Sequence, residues 1–168
     1  RPSQFRADPP PALTSNHYRQ DYDEVKAVGS LNSTVRTPAQ TDQAHFWAGN
    51  FGVMLNKLTR DLSVQHVNDI AESSRLFAMA DLAMADAIIA VWNDKAHYVF
   101  WRPSTAIQNG EFDGNPNTAG DPAWTPLIAN PPYPDHTSGA NGITAAGTRA
   151  LENFFRTDRM EMLITTTN

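Results

Sequence analysis

The stretch Arg75–Pro103, RLFAMADLAMADAIIAVWNDKAHYVFWRP, decides the fold. Leu76, Phe77, Met79, Leu82, Ala83, Ala87, Ile88, Val91 and Trp92 recur at helical rather than alternating spacing, and Ile70 extends the pattern upstream. Ala78, Ala80, Ala83, Ala85, Ala87 and Ala90 keep the surface low enough for neighbouring helices to approach closely. Ser63 to Tyr98 carries the strongest helical signal, and the pattern predicts one long, central, buried helix around Ile70 to Tyr98, with Phe77, Leu82, Ile88 and Val91 facing the core. Asp81 and Asp86 interrupt the apolar run, so it reads as a core helix of a soluble protein rather than a membrane span.

Outward from this helix the rest also reads as helical. Ser15 or Asn16 caps a helix that stops at Gly29, and Thr37-Pro38 opens a second with proline in its first turn. Asn50 caps a third. After Arg102-Pro103 come a short turn and a long loop, Asn109 to Pro134, and a last helix starts near Ser138. No segment reads as a strand. The expected class is an all-α helical bundle forming one domain over residues 1–168.

Composition bounds the function. With 40 % hydrophobic and 18 % charged residues the chain is globular, and a net charge of -5 argues against a nucleic-acid binder. There is no cysteine, which excludes disulfides and thiolate metal sites and leaves the compartment open.

Two cations stand apart. Lys95 and Arg102 are the only Lys or Arg residues between Arg75 and Arg149, and they sit in the apolar, aromatic setting of AHYVFW. If the helix continues to Arg102 and ends at Pro103, the pair share one face about 10 Å apart along the axis. Buried on such a face, they would need a counter-anion. Ser138-Gly139 supplies a second half: a helix N-terminus with free N–H groups, a glycine that lets a ligand reach the backbone, and a hydroxyl donor.

These residues resemble a known pattern. Lys95-AHYVFW-Arg102-Pro103 matches the K-x6-R-P motif of the vanadium haloperoxidase and type 2 phosphatidic acid phosphatase superfamily, and Ser138-Gly139 falls where that superfamily has P-S-G-H. The segments PPPALTSNHYRQDYDEVKAVGS, RTPAQTDQAHFWAG and DPAWTPLIANPPYPDHTSG extend the resemblance, towards bacterial haloperoxidase-like proteins, over nearly the whole chain. The resemblance implies that Lys95, Arg102, Ser138 and Gly139 hold vanadate or phosphate. It implies halide oxidation by hydrogen peroxide or, alternatively, phosphate monoester hydrolysis through a phosphohistidine. The partners would be those small molecules, with no nucleic acid and no membrane span; a homo-oligomer and an extracytoplasmic or secreted location are compatible with it.

Two departures matter. P-S-G-H reads Thr137-Ser138-Gly139-Ala140 here, so His136 is the candidate substitute for the family's acid–base histidine. The third motif, S-R-x3-H-x3-D, is absent. The chain is therefore expected to be the central portion of a larger domain, with essential residues supplied by a longer parent. Exposed apolar area is expected near Phe154 and Phe155 or on the long helix, unless a partner chain covers it. Two rivals remain. A non-catalytic anion-binding domain would explain Ala140. A di-metal bundle could use Asp42-x-x-His45 and Asp94-x-x-His97 with Glu72 and Glu152. Asp113, Asn115 and Asn117 resemble the opening of a calcium loop, but Thr118 and Trp124 stand where glycine and glutamate belong.

Overall fold

A computed structural model describes residues 2–165. It is all-α among the described residues: α1 (Asn16–Val28), α2 (Pro38–Trp47), α3 (Phe51–His66), α4 (Ile70–Tyr98), α5 (Pro103–Gln108) and α6 (Gly139–Phe155), with short 3-10 turns at Pro2–Phe5 and Gly110–Phe112. The one extended pairing among these residues is an isolated bridge between Ser30 and Pro126.

Local chemistry explains most boundaries. The Ser15 hydroxyl accepts from the Tyr18 N–H at the start of α1, and the Asn50 side chain accepts from the Val53 N–H at the start of α3. The long helix runs over Ile70–Tyr98, as expected, and the residues from Ser63 to His66 belong to the helix before it. α3 closes at His66, Val67 is extended, and Asp69 accepts from the N–H groups of Ala71 and Glu72 to open α4. A short acidic side chain that caps backbone donors is a better partner for this turn than continued helix.

The chain divides into two compact units, and α4 contributes to both. The first contains residues 46–93 together with the chain from Ser138 onward and the N-terminal 3-10 turn. Its core joins Leu55, Leu58 and Leu62 of α3, Leu76, Ala80 and Met84 of α4, and Ile143 and Leu151 of α6. Phe154 and Phe155 pack against this core partly buried. At Gly147 of α6 a Cβ would lie 3.2 Å from the Met84 Sδ and 3.4 Å from a Leu55 methyl, so a hydrogen there permits the close helix approach.

The buried face of α4 differs from the expected one. Leu76, Ala80, Met84 and Val91 form it, whereas Phe77 is only partly buried, Leu82 is 65 % exposed and Ile88 is exposed. Leu82 projects from the opposite side of the helix, where Ile89 and Trp92 are exposed too. The expected uncovered apolar area thus lies on α4. By length and composition alone, the helical stretch that begins at Ile70 is also long and apolar enough to cross a membrane.

The second unit comprises residues 6–45 and 94–137. α1 packs against α5, with Tyr18, Tyr22, Ile107 and Trp124 at its core. Two side-chain hydrogen bonds pin the loop after α5. Tyr22 donates its hydroxyl to the Ala119 carbonyl at 2.7 Å, and the Trp124 indole N–H donates to the Lys26 carbonyl at 2.9 Å.

The two faces of α4 should respond differently to truncation. Leu76→Ala empties a fully buried site and is expected to cost about 2–5 kcal/mol, whereas Leu82→Ala should stay within about 0.5 kcal/mol. Urea denaturation of both variants checks this; equal losses would contradict the assignment of faces.

Candidate oxyanion site

The two isolated cations do converge, but not as neighbours on one helix. α4 ends at Tyr98, and Val99 adopts a left-handed backbone with φ 46°. Arg102 is extended and serves as N-cap to α5, with Pro103 in its first turn. The reason is steric: proline disfavours helical geometry in the residue before it, so Pro103 starts a helix here and excludes Arg102 from the preceding one.

Lys95 is 3 % exposed on the last turn of α4. Its ammonium donates to the carbonyls of Pro134 at 2.9 Å and Asp135 at 2.5 Å. Arg102 donates from Nε to the Tyr133 carbonyl at 2.6 Å and from Nη1 to Asp135 Oδ1 at 2.8 Å. Its Nη2 makes a longer contact, 3.4 Å, with the same Pro134 carbonyl that Lys95 holds. Both cations also lie over the Tyr133 ring, Lys95 at 5.4 Å and Arg102 at 4.5 Å from its centroid. Asp135 and Tyr133 are the partners that sequence analysis missed. They stand more than thirty positions away, inside a proline-rich loop with no motif of their own.

The electrostatics suit an added anion. Burial lowers the Lys95 pKa below the ordinary lysine value, the neighbouring Arg102 charge lowers it further, and Asp135 opposes both. Two cations here face one paired carboxylate. Donor capacity also remains: an ammonium has three N–H donors and a guanidinium five, more than these contacts use. An oxyanion of the phosphate or vanadate type fits that charge and donor surplus.

His136 sits in the same unit. Its Nε2 lies 2.8 Å from the Asp8 carbonyl, and its ring packs edge-on to Tyr98 with centroids 5.1 Å apart. A carbonyl only accepts, so Nε2 donates its N–H in this contact and Nδ1 is left for other partners. Asp94 is buried nearby in sequence. Its Oδ2 accepts from the Ala7 N–H at 3.2 Å and the Thr137 hydroxyl at 3.4 Å, tying these segments to the end of α4.

Ser138 and Gly139 belong to the first unit. Ser138 caps α6, its hydroxyl oxygen accepting from the Asn141 N–H at 3.3 Å. The hydroxyl proton is not used in that contact, and the first N–H groups of α6 carry the helix's partial positive charge.

The rival metal readings fare differently. No group of three or more His, Asp or Glu side chains that could hold a metal occurs among the described residues. Glu72 pairs with Arg75, Glu152 with Arg149, and Asp94 with backbone and Thr137. The resembled calcium loop is an internally bonded turn instead. Asp113 accepts from the Asn115 N–H and the Thr118 hydroxyl, and Gly114 takes φ 75° between them.

Comparison with known proteins shows the family. The family model described as the VCPO second helical-bundle domain matches residues 75–168, and the chain belongs to that family. This places it in the vanadium chloroperoxidase and acid phosphatase superfamily. The vanadium chloroperoxidase of Curvularia inaequalis is 32 % identical over 169 residues, covering 80 % of this chain and 27 % of that protein. The chain thus spans about a quarter of that relative's length. No solved structure matches it. By itself the chain does not present the family's complete catalytic set: Ala140 replaces the histidine of P-S-G-H, and S-R-x3-H-x3-D is absent from the sequence.

The Lys95 surroundings make a pH prediction. Because its folded pKa lies below the unfolded 10.5, the native state binds fewer protons in that window. Stability should therefore rise as pH increases from the lowered value towards 10.5. Urea unfolding at stepped alkaline pH, with Lys95→Met as the control expected to lose this slope, checks the sign. In Asp135→Asn the 13Cε titration of Lys95 should move lower still, because the opposing carboxylate charge is gone.

Proposed function

We propose that this chain is the oxyanion-binding portion of a haloperoxidase of the vanadium-dependent type, acting on a halide and hydrogen peroxide. One observation carries the proposal: Lys95 and Arg102, far apart from any other cation in sequence, meet at the Pro134 carbonyl with charge and donor capacity to spare. Lys95 and Arg102 would hold vanadate oxygens and stabilise their negative charge. In the family motif the positions of Ser138 and Gly139 also belong to the oxyanion-binding set. Vanadate, when bound, supplies the Lewis acidity that activates hydrogen peroxide towards a halide.

The chain's own residues then bind and orient. Arg102 grips in a planar fork, which Lys95 as a point charge does not do. Tyr133 supports both cations through its ring face. His136, with Nδ1 as its basic atom, is the group proposed to hold or move a proton in place of the family histidine. Residues outside this sequence would complete the set. The partners are small molecules; pairing of identical chains and an extracytoplasmic or secreted location belong to the same proposal. Phosphate ester hydrolysis is the alternative chemistry for such a site, and the name of the similar chloroperoxidase favours halide oxidation.

The test uses the full-length protein. Arg102→Ala should weaken vanadate or phosphate affinity by about 1.5–3 kcal/mol, roughly 10- to 150-fold, and Lys95→Ala by less. Vanadate-dependent bromide or chloride oxidation should accompany binding. Unchanged affinity in both variants would remove the site assignment. Hydrolysis of a phosphate monoester without halide oxidation would replace the proposed activity.

A further inference from the structure

One carboxylate at the end of α4 has no part in balancing the cations beside it. Asp94 is 3 % exposed and precedes Lys95 in sequence, yet the charges acting on Lys95 are those of Arg102 and Asp135. The Asp94 Oδ2 takes two hydrogen bonds, from the Ala7 N–H at 3.2 Å and the Thr137 hydroxyl at 3.4 Å. Its Oδ1 is buried and accepts no hydrogen bond among the described residues. A buried carboxylate with one bare oxygen is costly, and two neutral donors on the other oxygen offset only part of that cost. Packing alone gives no reason for a charge at this position.

The two donors close a circuit around His136. From Asp94 Oδ2 the Thr137 hydroxyl leads through one peptide bond to His136. The His136 Nε2 meets the Asp8 carbonyl at 2.8 Å, and the residue before Asp8, Ala7, returns its N–H to the same Asp94 oxygen. Tyr98, one turn beyond Asp94 on α4, braces the circuit twice. Its hydroxyl donates to the Ala7 carbonyl at 2.6 Å, and its ring packs edge-on to the imidazole. Ala7 is therefore held at both its N–H and its carbonyl, which restricts where the next carbonyl, that of Asp8, can lie. One imidazole nitrogen is committed to that carbonyl, and the contact made by one nitrogen sets the role of the other.

We propose that Asp94 is a positioning residue for His136. Through Thr137 on one side and Ala7 on the other, it fixes the place of the imidazole and keeps Nε2 on the Asp8 carbonyl, so that Nδ1 is the nitrogen available for proton transfer. It acts through these neighbours and not on a substrate. The catalytic consequence rests on the reading of His136 as the proton-handling group, whereas the placement of the ring is measured without vanadate or turnover.

The experiment uses the full-length protein carrying 15N-labelled histidine. Long-range proton–nitrogen correlation identifies the tautomer of each neutral imidazole, and His136→Gln assigns the His136 signals. The wild type should show the Nε2–H form. Thr137→Val removes one donor at nearly constant volume, and Asp94→Ala removes the acceptor. Each should populate the Nδ1–H form or broaden the His136 signals, whereas Thr137→Ser should keep the wild-type pattern. Thr137→Val, which lies outside α4, decides the matter where Asp94→Ala does not fold. Halide oxidation gives the second readout: both variants should lower kcat, Asp94→Ala by about 10- to 100-fold, with vanadate affinity changed much less. The double variant should match Asp94→Ala alone, because both substitutions cut the same circuit. His136 signals left unchanged by Thr137→Val or by folded Asp94→Ala would overturn the inference, and so would losses that add in the double variant. If His136→Gln leaves kcat intact, the role given to His136 in the proposed function falls, while the tautomer readout still decides whether Asp94 places the ring.

Discussion

A buried ammonium must have its hydrogen bonds made, and in this protein that requirement organises the second unit. Lys95 leaves α4 into a place where water does not reach it, and backbone carbonyls of a loop some forty residues later replace that water. Arg102 seizes the same loop from the other side of the Val99 turn and adds the Asp135 carboxylate. Removing either cation would leave carbonyls or a carboxylate without partners, so loop and cations depend on one another. Burial, and after it the neighbouring Arg102 charge, depresses the Lys95 pKa, and this is the tension in the arrangement.

Family membership and local geometry are separate observations here. The match to the VCPO second helical-bundle domain starts within α4 and includes both cations and α6. In this chain the proline keeps the arginine out of helical geometry, Val99 takes a left-handed backbone, and both cationic side chains bond to one loop. Spacing by helical turns would have produced the same residue separation from a different shape.

The two units are stabilised by different chemistry. The first is aliphatic and relies on close helix approach at Gly147 and on Leu62 and Leu76, which are essentially sealed from solvent. The second is aromatic and polar, with tyrosine and tryptophan donors reaching backbone carbonyls across the loops. Burial of apolar area suffices for the first. In the second, hydrogen bonds select one loop conformation among many, which is what a binding site needs.

Helix starts were legible in the sequence because they are local. Ser15, Asn50 and Ser138 cap with their own side chains, and Pro38 opens α2, as their residue types announced. Lys95 and Arg102 could be singled out by their isolation, and the family resemblance by its motif. The buried face of α4 was not legible, because apolar residues run almost all round it. Only packing against α3 and α6 chose Leu76, Ala80 and Met84 over Leu82 and Ile88. Nor could the partners of the cations be read, since the Tyr133, Pro134 and Asp135 carbonyls and the Asp135 carboxylate acquire their role only when the loop folds back. Side-chain type and local steric rules act over a few residues and survive in the sequence; which surface is covered, and which distant carbonyl meets a charge, exist only once the chain has packed.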